Sequence, residues 1–505
     1  MASISDLSKL RPAKYTGPKD SRGKVHGYGE MIYAEKGQPD QLYSYSGTFH
    51  HGVRRGFGVW AVRRRSRNSV EKWQYYQQGD YDAAGRLIAP AHESGSYEEY
   101  TYSWIATYIG WWRDDKPFEP TPIGDGLLSF EITSDDAFLE RFCDNKSIQR
   151  LSEDMVESLK NSTDPYGRYG YGRWLCRTQK CNKEALKVAT ECFKFAAENG
   201  VADALQALSY LYDYGLAYDA ERDALVWNGA LAEQLSLEAW ERGSLLAKLR
   251  RNSGLYYGSY SICADKSAAI AQAEAEASKE GASPLWLELL GWYYESEDRI
   301  DDAIDAYLSA IEAGRIEAIC DLACCYLNKG ETEYYESLMK EGIRLGVADC
   351  MILGCEYRAS WDDLDDYTQR TIHNQLRENL ERGAMLGNGN CAYYLAHFLL
   401  EGCMGFEWEL ERGAKMALRA ANLGCAYGFV LLADILSDKE MVALLPKDLQ
   451  ELEQQWLMLR LNALRLGADE QLENVVIYAD EYRELGYGEE LDAVWLPKWQ
   501  AENKN

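Results

Sequence analysis

From about residue 165 to 488, apolar residues recur at three- and four-residue spacing in short runs that end on glycine. The stretch CFKFAAENGVADALQALSYLYDYG, Cys192 to Gly215, has the form in full: an amphipathic run, two alanines, a glycine, then a second run rich in leucine and tyrosine. That spacing predicts amphipathic α-helices. Before about residue 135 the pattern changes. Apolar and polar positions alternate, broken by glycine, and tyrosine and tryptophan become frequent, which predicts β-hairpins. The chain therefore reads as mainly α: a solenoid of two-helix repeats preceded by a β-hairpin-rich segment. The expected divisions are an N-terminal extension over 1–22, a β-rich segment over 23–134, a connecting helical segment over 135–164, helical repeats over 165–488, and a C-terminal cap and tail over 489–505.

The repeat is fixed by its glycines. Gly200, Gly243, Gly281, Gly314, Gly346, Gly387, Gly424 and Gly467 end successive runs, 43, 38, 33, 32, 41, 37 and 43 residues apart. Such a period indicates two-helix units stacked in an array. The residue four before each glycine is Ala196, Ala239, Ala277, Ala310, Gly342, Gly383, Ala420 or Ala463. All are alanine or glycine, so this position is expected at a close helix–helix contact. The glycine itself suits a helix C-cap in the left-handed region. Four residues after the glycine the side chain is again small at Ala204, Ala247, Ala318, Cys350, Cys391 and Gly428, whereas Leu285 and Gln471 break the rule. Each unit thus reads as helix A, a variable loop, and helix B ending at the glycine.

These residues resemble the Sel-one-like repeat family, a relative of the tetratricopeptide repeats. The stretches ALRAANLG, ADALQALSYLYDYG and AICDLACCYLNKG carry the likeness, and the units from Ser244 and Ala468 are degenerate. The resemblance spans about Pro165 to Gly488. It implies a right-handed α-solenoid that binds proteins and does not catalyse.

In the β-rich part, three G-x-G signals recur at Gly27/Gly29, Gly56/Gly58 and Gly124/Gly126. Tyr45, Gly47, Gly52, Gly56 and Gly58 resemble the MORN repeat (membrane occupation and recognition nexus) position for position, and the segment from Tyr108 matches with an insertion. The segment at Gly27 lacks the upstream Tyr-x-Gly at the expected distance, and a long insert occupies about Arg63 to Ser103. The resemblance implies an elongated β-hairpin sheet used for protein binding or assembly, with lipid binding as a proposed family property. None of the G-x-G pairs opens a helix as a dinucleotide-binding loop requires, and no G-x-x-x-x-G-K-[ST] occurs.

Charge refines the picture. The net charge is −27, and residues 1–130 hold 17 Lys and Arg against 15 Asp and Glu, leaving 37 against 66 for the remainder. An acidic body repels nucleic-acid phosphates; it allows a basic protein partner and equally serves plain solubility. The run RRRSR (Arg63, Arg64, Arg65, Arg67) is the one dense basic cluster and is a candidate contact for an acidic protein or for anionic lipid at a membrane surface. The acidic stretches SWDDLDDYTQR and SEDRIDDAID are expected on inter-helix loops, and nominate Trp361, Asp362, Asp363, Asp365, Asp366, Asp298, Asp301 and Asp302 for partner binding. No apolar run is long enough for a membrane span, and the N-terminus has no apolar signal core, so a cytoplasmic protein is expected.

No catalytic constellation emerges. The six histidines form no H-E-x-x-H pair and no G-x-S-x-G elbow occurs. His50 and His51 read as surface histidines on a hairpin in preference to a metal site. The thirteen cysteines have no zinc-like spacing and read as buried thiols acting as small hydrophobes. The expectation is an interaction protein without metal or cofactor, either an adaptor or scaffold, or an immunity-type inhibitor that occludes a basic toxin or effector; a lipid-surface role through the β-rich part is the weaker alternative.

Overall fold

In the computed structural model, the structure describes residues 10–81, 87–120, 153–255, 261–347, 349–352 and 366–502. The chain divides into two compact units, 1–120 and 121–505.

The first unit is an antiparallel meander of six strands in chain order: β1 (Leu10–Thr16), β2 (Gly27–Glu35), β3 (Gln38–His50), β4 (Val53–Tyr81), β5 (Leu87–Arg113) and β6 (Lys116–Phe118). Its register lines up glycines: Gly29 pairs with Gly47, Gly47 with Gly58, and Gly58 with Gly110. A Cβ on Gly29 would strike the Tyr15 ring, one on Gly47 or Gly58 the Tyr45 ring, and one on Gly110 the Tyr108 ring. The glycine row is therefore a trough in which tyrosine rings lie flat along the sheet. Each ring is anchored in the same way, its hydroxyl donating to the carbonyl three residues on: Tyr15 to Pro18 (2.8 Å), Tyr45 to Thr48 (3.2 Å) and Tyr108 to Trp111 (3.0 Å). Tyr45, Phe49, Trp60 and Trp112 are buried on this face. Arg54 is buried among them, 5.1 Å from the Trp112 ring centre and 5.2 Å from that of Trp60, with its Nε donating to Asp115 (2.8 Å).

Two expectations change. At the expected distance the Gly27 segment does lack Tyr-x-Gly, but Tyr15 and Gly17 stand one residue further upstream with the Tyr15 ring over Gly29, and β1 brings residues 10–16 into the sheet ahead of the boundary at residue 23. The segment expected as a long insert continues β4 and β5 as a paired ribbon from Arg63–Trp104 to Tyr81–Leu87. Residues 121–134, including Gly124 and Gly126, lie outside the described residues, as do 135–152 of the connecting segment.

The second unit is helical, and its helices pack as successive antiparallel pairs. After α1 (Glu153–Lys160) and α2 (Pro165–Thr178) come α3 (Lys183–Glu198), α4 (Ala202–Asp213), α5 (Gly229–Glu241), α6 (Leu245–Ser253) and α7 (Lys266–Ala277). They continue as α8 (Leu285–Ser296), α9 (Ile300–Glu312), α10 (Ile319–Asn328), α11 (Thr332–Leu345), α12 (Asp366–Met385), α13 (Gly389–Glu401), α14 (Leu410–Asn422) and α15 (Ala426–Ser437). The C-terminal end is built from α16 (Lys439–Leu444), α17 (Lys447–Gln450), α18 (Trp456–Arg465), α19 (Leu472–Ile477), α20 (Ala479–Glu484) and α21 (Leu496–Glu502). A short hairpin, β7 (Ala217–Asp219) and β8 (Ala224–Val226), sits between α4 and α5, where the sequence suggested only a loop.

All eight repeat glycines have left-handed φ, from +71° at Gly281 to +101° at Gly314 and Gly467. In seven of the eight units, the amide after the glycine donates to the carbonyl of the small residue four before it, at 2.8–3.0 Å: Val201 to Ala196, Ser244 to Ala239, Arg315 to Ala310, Val347 to Gly342, Asn388 to Gly383, Cys425 to Ala420, and Ala468 to Ala463. This is the Schellman closure of a helix C-terminus, which needs a residue free of Cβ strain at positive φ. The Gly281 unit, the degenerate one that starts at Ser244, closes differently, through Ala282 to Lys279.

The small residues before and after each glycine meet across the turn. A Cβ on Gly342 would run into Cys350, one on Gly383 into Cys391, and one on Gly428 into Ala420. Where the first residue is glycine the second is cysteine; where the first is alanine the second is alanine or glycine, except at Leu285 and Gln471. Cys350 and Cys391 are fully buried, and burial pushes the thiols of Cys192 and Cys325 up, as expected of cysteines acting as apolar filler.

The repeats also touch at long range. The Cys181 amide, just after α2, donates to Asn422 Oδ1 at the end of α14 (2.9 Å). Arg465 at the end of α18 donates to the Gly215 carbonyl (3.4 Å) and is held by a buried ion pair with Glu490 (2.5 and 2.9 Å). A Cβ on Gly215 would collide with that guanidinium. An open solenoid brings each repeat against its neighbours only; here the first repeats close onto the last.

Candidate protein-binding surface

The acidic residues nominated by sequence have defined places. α8 and α9 are joined by the tight turn Glu297–Arg299, with Asp298 at φ +59°, so Asp301 and Asp302 are not on a loop but in the first turn of α9. There they complement the helix dipole. Asp301 accepts from Lys329 (2.5 Å) and Asp302 from Arg299 (2.7 Å). Both carboxylates are more than half exposed, so these pairs add little stability and leave negative charge on the surface. Asp366 begins α12, but its side chain lies outside the described residues, as do Trp361, Asp362, Asp363 and Asp365.

In the basic run, Arg63 and Arg64 lie on β4, Arg63 stacking over the Tyr102 ring at 4.6 Å; Arg65 and Arg67 continue the strand with side chains outside the described residues. The adjacent Tyr334 and Tyr335 of α11 are buried and serve packing.

Among the exposed large apolar groups of the second unit, Met385, Trp408, Tyr427, Met441 and Leu444 lie on its C-terminal repeats. Tyr393, Tyr394, His397 and Phe398 follow one another along α13, half-buried, and Tyr427 at the start of α15 stacks its ring 5.7 Å from Tyr393. His397 lies parallel to the Tyr393 ring, and burial pushes the Tyr393 hydroxyl up. The loop after α13 is held in a special conformation, with Gly402, Met404 and Gly405 all at positive φ. Arg377 of α12 fixes it by donating to the Gly405 carbonyl and stacking over Phe406 at 4.8 Å. Burial and this arginine hold the adjoining His373 below the usual histidine range.

That loop delivers Trp408, 59 % exposed, to the rim of a cleft of about 690 Å³. Leu410, Met416 and Leu444 line it with Trp408, and Leu444 is 71 % exposed. The polar rim is internally balanced: Arg412 pairs with Glu381 (2.6 Å) and Lys415 with Glu411 (2.6 Å). An exposed tryptophan beside an apolar cleft with a charged rim has the composition of a protein-binding hot spot. Sequence periodicity missed it, because Trp408 sits in a loop; the signal was an aromatic between acids in GFEWELERG.

No helix among the described residues is long and apolar enough to cross a membrane. No protein-family model matches the chain, and no curated protein matches it. Among solved structures it is similar to a protective antigen of uropathogenic Escherichia coli with an SLR fold, at 18 % identity over 68 % of this chain and 75 % of that one, TM-score 0.31. It is also similar to a Sel1 repeat protein from Oxalobacter formigenes (17 % identity, 70 % and 96 % covered, TM-score 0.31) and to yeast Tom70 (13 % identity, 73 % and 72 % covered, TM-score 0.40).

Proposed function

We propose that the chain is a non-catalytic protein-interaction scaffold of the Sel-one-like repeat type, with its partner held on the C-terminal repeats. The observation that carries this reading is the exposed Trp408–Leu444 cleft, built on a rigid helical frame and beside the aromatic row of α13. Rigid presentation lowers the entropy cost of binding, and a desolvated tryptophan supplies the largest single contribution. The partner is a protein with an apolar anchor and basic surroundings, because the charge excess after residue 130 steers cations. The acidic first turn of α9 adds to that field.

The test is affinity capture by the tagged full-length chain at low and moderate salt, alongside the Trp408→Ala variant. A basic protein bound in equimolar amount by the wild type should lose about 30-fold or more in affinity to W408A, the cost of a strong hot spot. Equal binding by both would remove the cleft from the reading, and salt-labile background alone would remove the scaffold. The activity of a captured partner with and without this chain then separates adaptor from inhibitor.

A further inference from the structure

Three of the six histidines come together in the first unit. His26 immediately precedes β2, His50 ends β3, and His51 occupies the turn into β4. Their ring centres are 5.4 Å (His26–His50), 4.8 Å (His26–His51) and 4.4 Å (His50–His51) apart, and one nitrogen from each lies within 4.8 Å of the others. His26 and His50 are half-buried, while His51 is exposed at its edge, which leaves an entry path.

The backbone is built to hold them there. The Gly52 amide donates to the Val25 carbonyl (2.8 Å) and the His26 amide to the Pro18 carbonyl (3.2 Å), tying the β3–β4 turn to the β1–β2 loop. His51 takes a left-handed φ of +47°, unusual for a side chain with a Cβ, and that conformation turns its ring back toward the other two. Asp20, almost covered, sits in the β1–β2 loop, where its Oδ1 accepts the amides of Arg22 and Lys24 at 2.9 Å. Its Oδ2 lies 2.7 Å from His51 Nδ1.

We propose that His26, His50 and His51 bind one divalent transition-metal ion of the zinc class, with Asp20 as the positioning residue for His51. Imidazole suits zinc and its neighbours. The carboxylate on Nδ1 fixes the tautomer that leaves His51 Nε2 as ligand, the usual outer-shell partner of a metal-bound histidine. Zinc–nitrogen bonds of about 2.0–2.1 Å place tetrahedral nitrogens about 3.3 Å apart, so the ligand nitrogens, now within 4.8 Å of one another, must close by up to about 1.5 Å on binding. Three protein ligands leave a fourth position for water or a partner's side chain. The ion would staple two turns that are distant in sequence, on a unit otherwise held by strand pairing and aromatic contacts.

The experiment uses the full-length chain stripped with a chelator and dialysed to equilibrium against Zn²⁺, with Co²⁺ as a spectroscopic probe. One equivalent of zinc is expected, together with cobalt d–d bands lacking thiolate charge-transfer absorption. The His26→Gln/His50→Gln/His51→Gln variant should lose that equivalent with its far-UV circular dichroism unchanged. Asp20→Asn should bind about 10–100-fold more weakly, as loss of an outer-shell partner does. Zinc uptake undiminished in the triple variant would place the ions on cysteine and overturn the proposal, as would a wild type that takes up none.

Discussion

Gly383 in α12 faces Cys391 in α13, and an added Cβ at 383 would run into the cysteine sulfur. Two effects oppose each other in Gly383→Ala. Helix propensity favours alanine by about 1 kcal/mol, whereas overpacking costs about 1–3 kcal/mol. We therefore expect the single substitution to destabilise. In a Cys391→Ala background the sulfur is gone and only the Cβ of residue 391, 2.9 Å from the new methyl, still crowds it, so Gly383→Ala should cost less than it does beside the cysteine. Urea denaturation of the four proteins of the cycle checks it; an equal cost in both backgrounds would refute the pairing. The sequence revealed the small positions and the capping glycines because both recur at a fixed offset. It did not reveal that the two small positions trade volume with each other, since that requires knowing they touch. The cysteines were readable as filler for the same reason that their exact partners were not.

At the scale of the element, the first unit depends on rings laid over a glycine row. Gly58→Ala would drive a methyl into the Tyr45 ring, which is fully buried and bonded through its hydroxyl. A cost of about 1–3 kcal/mol follows, and hydrogen exchange should quicken in peptides covering residues 43–62 and 105–113, the strands that flank it. Unchanged exchange there would show that the ring is free to move aside. The hairpins were readable from alternation and turn glycines. Tyr15 escaped because Gly17 and Gly29 are one residue further apart than Gly47 and Gly58, so a fixed spacing slid past it. The metal candidate escaped for a related reason: His26 and His51 are remote in sequence, and only the register of β2 against β3 brings them together. On the helical side, reading acid as loop misplaced Asp301 and Asp302, because acidic residues also favour the first turn of a helix.

For the second unit as a whole, the feature with no local signal is closure. Contacts between residues 181 and 422, or 215 and 465, arise from small rotations summed over every intervening repeat. Arg465 and Glu490 are both nearly inaccessible, so Arg465→Met strands a buried carboxylate beside Trp495 and should cost about 3–5 kcal/mol. Because closure joins Arg465 to Gly215, amide exchange at residues 214–217 should also rise at least about tenfold, a local loss of about 1.4 kcal/mol, although these lie 250 residues away. Exchange that changes only around 457–495 would mean that the ends merely lie near one another. Closure also sets the number of units. In an open array, adding one more helical pair adds one more favourable interface, and length is a free variable. In a stack whose last turn must meet its first, an extra or missing pair carries Asn422 away from Cys181 and Arg465 away from Gly215. Copy number then becomes as constrained as any core side chain.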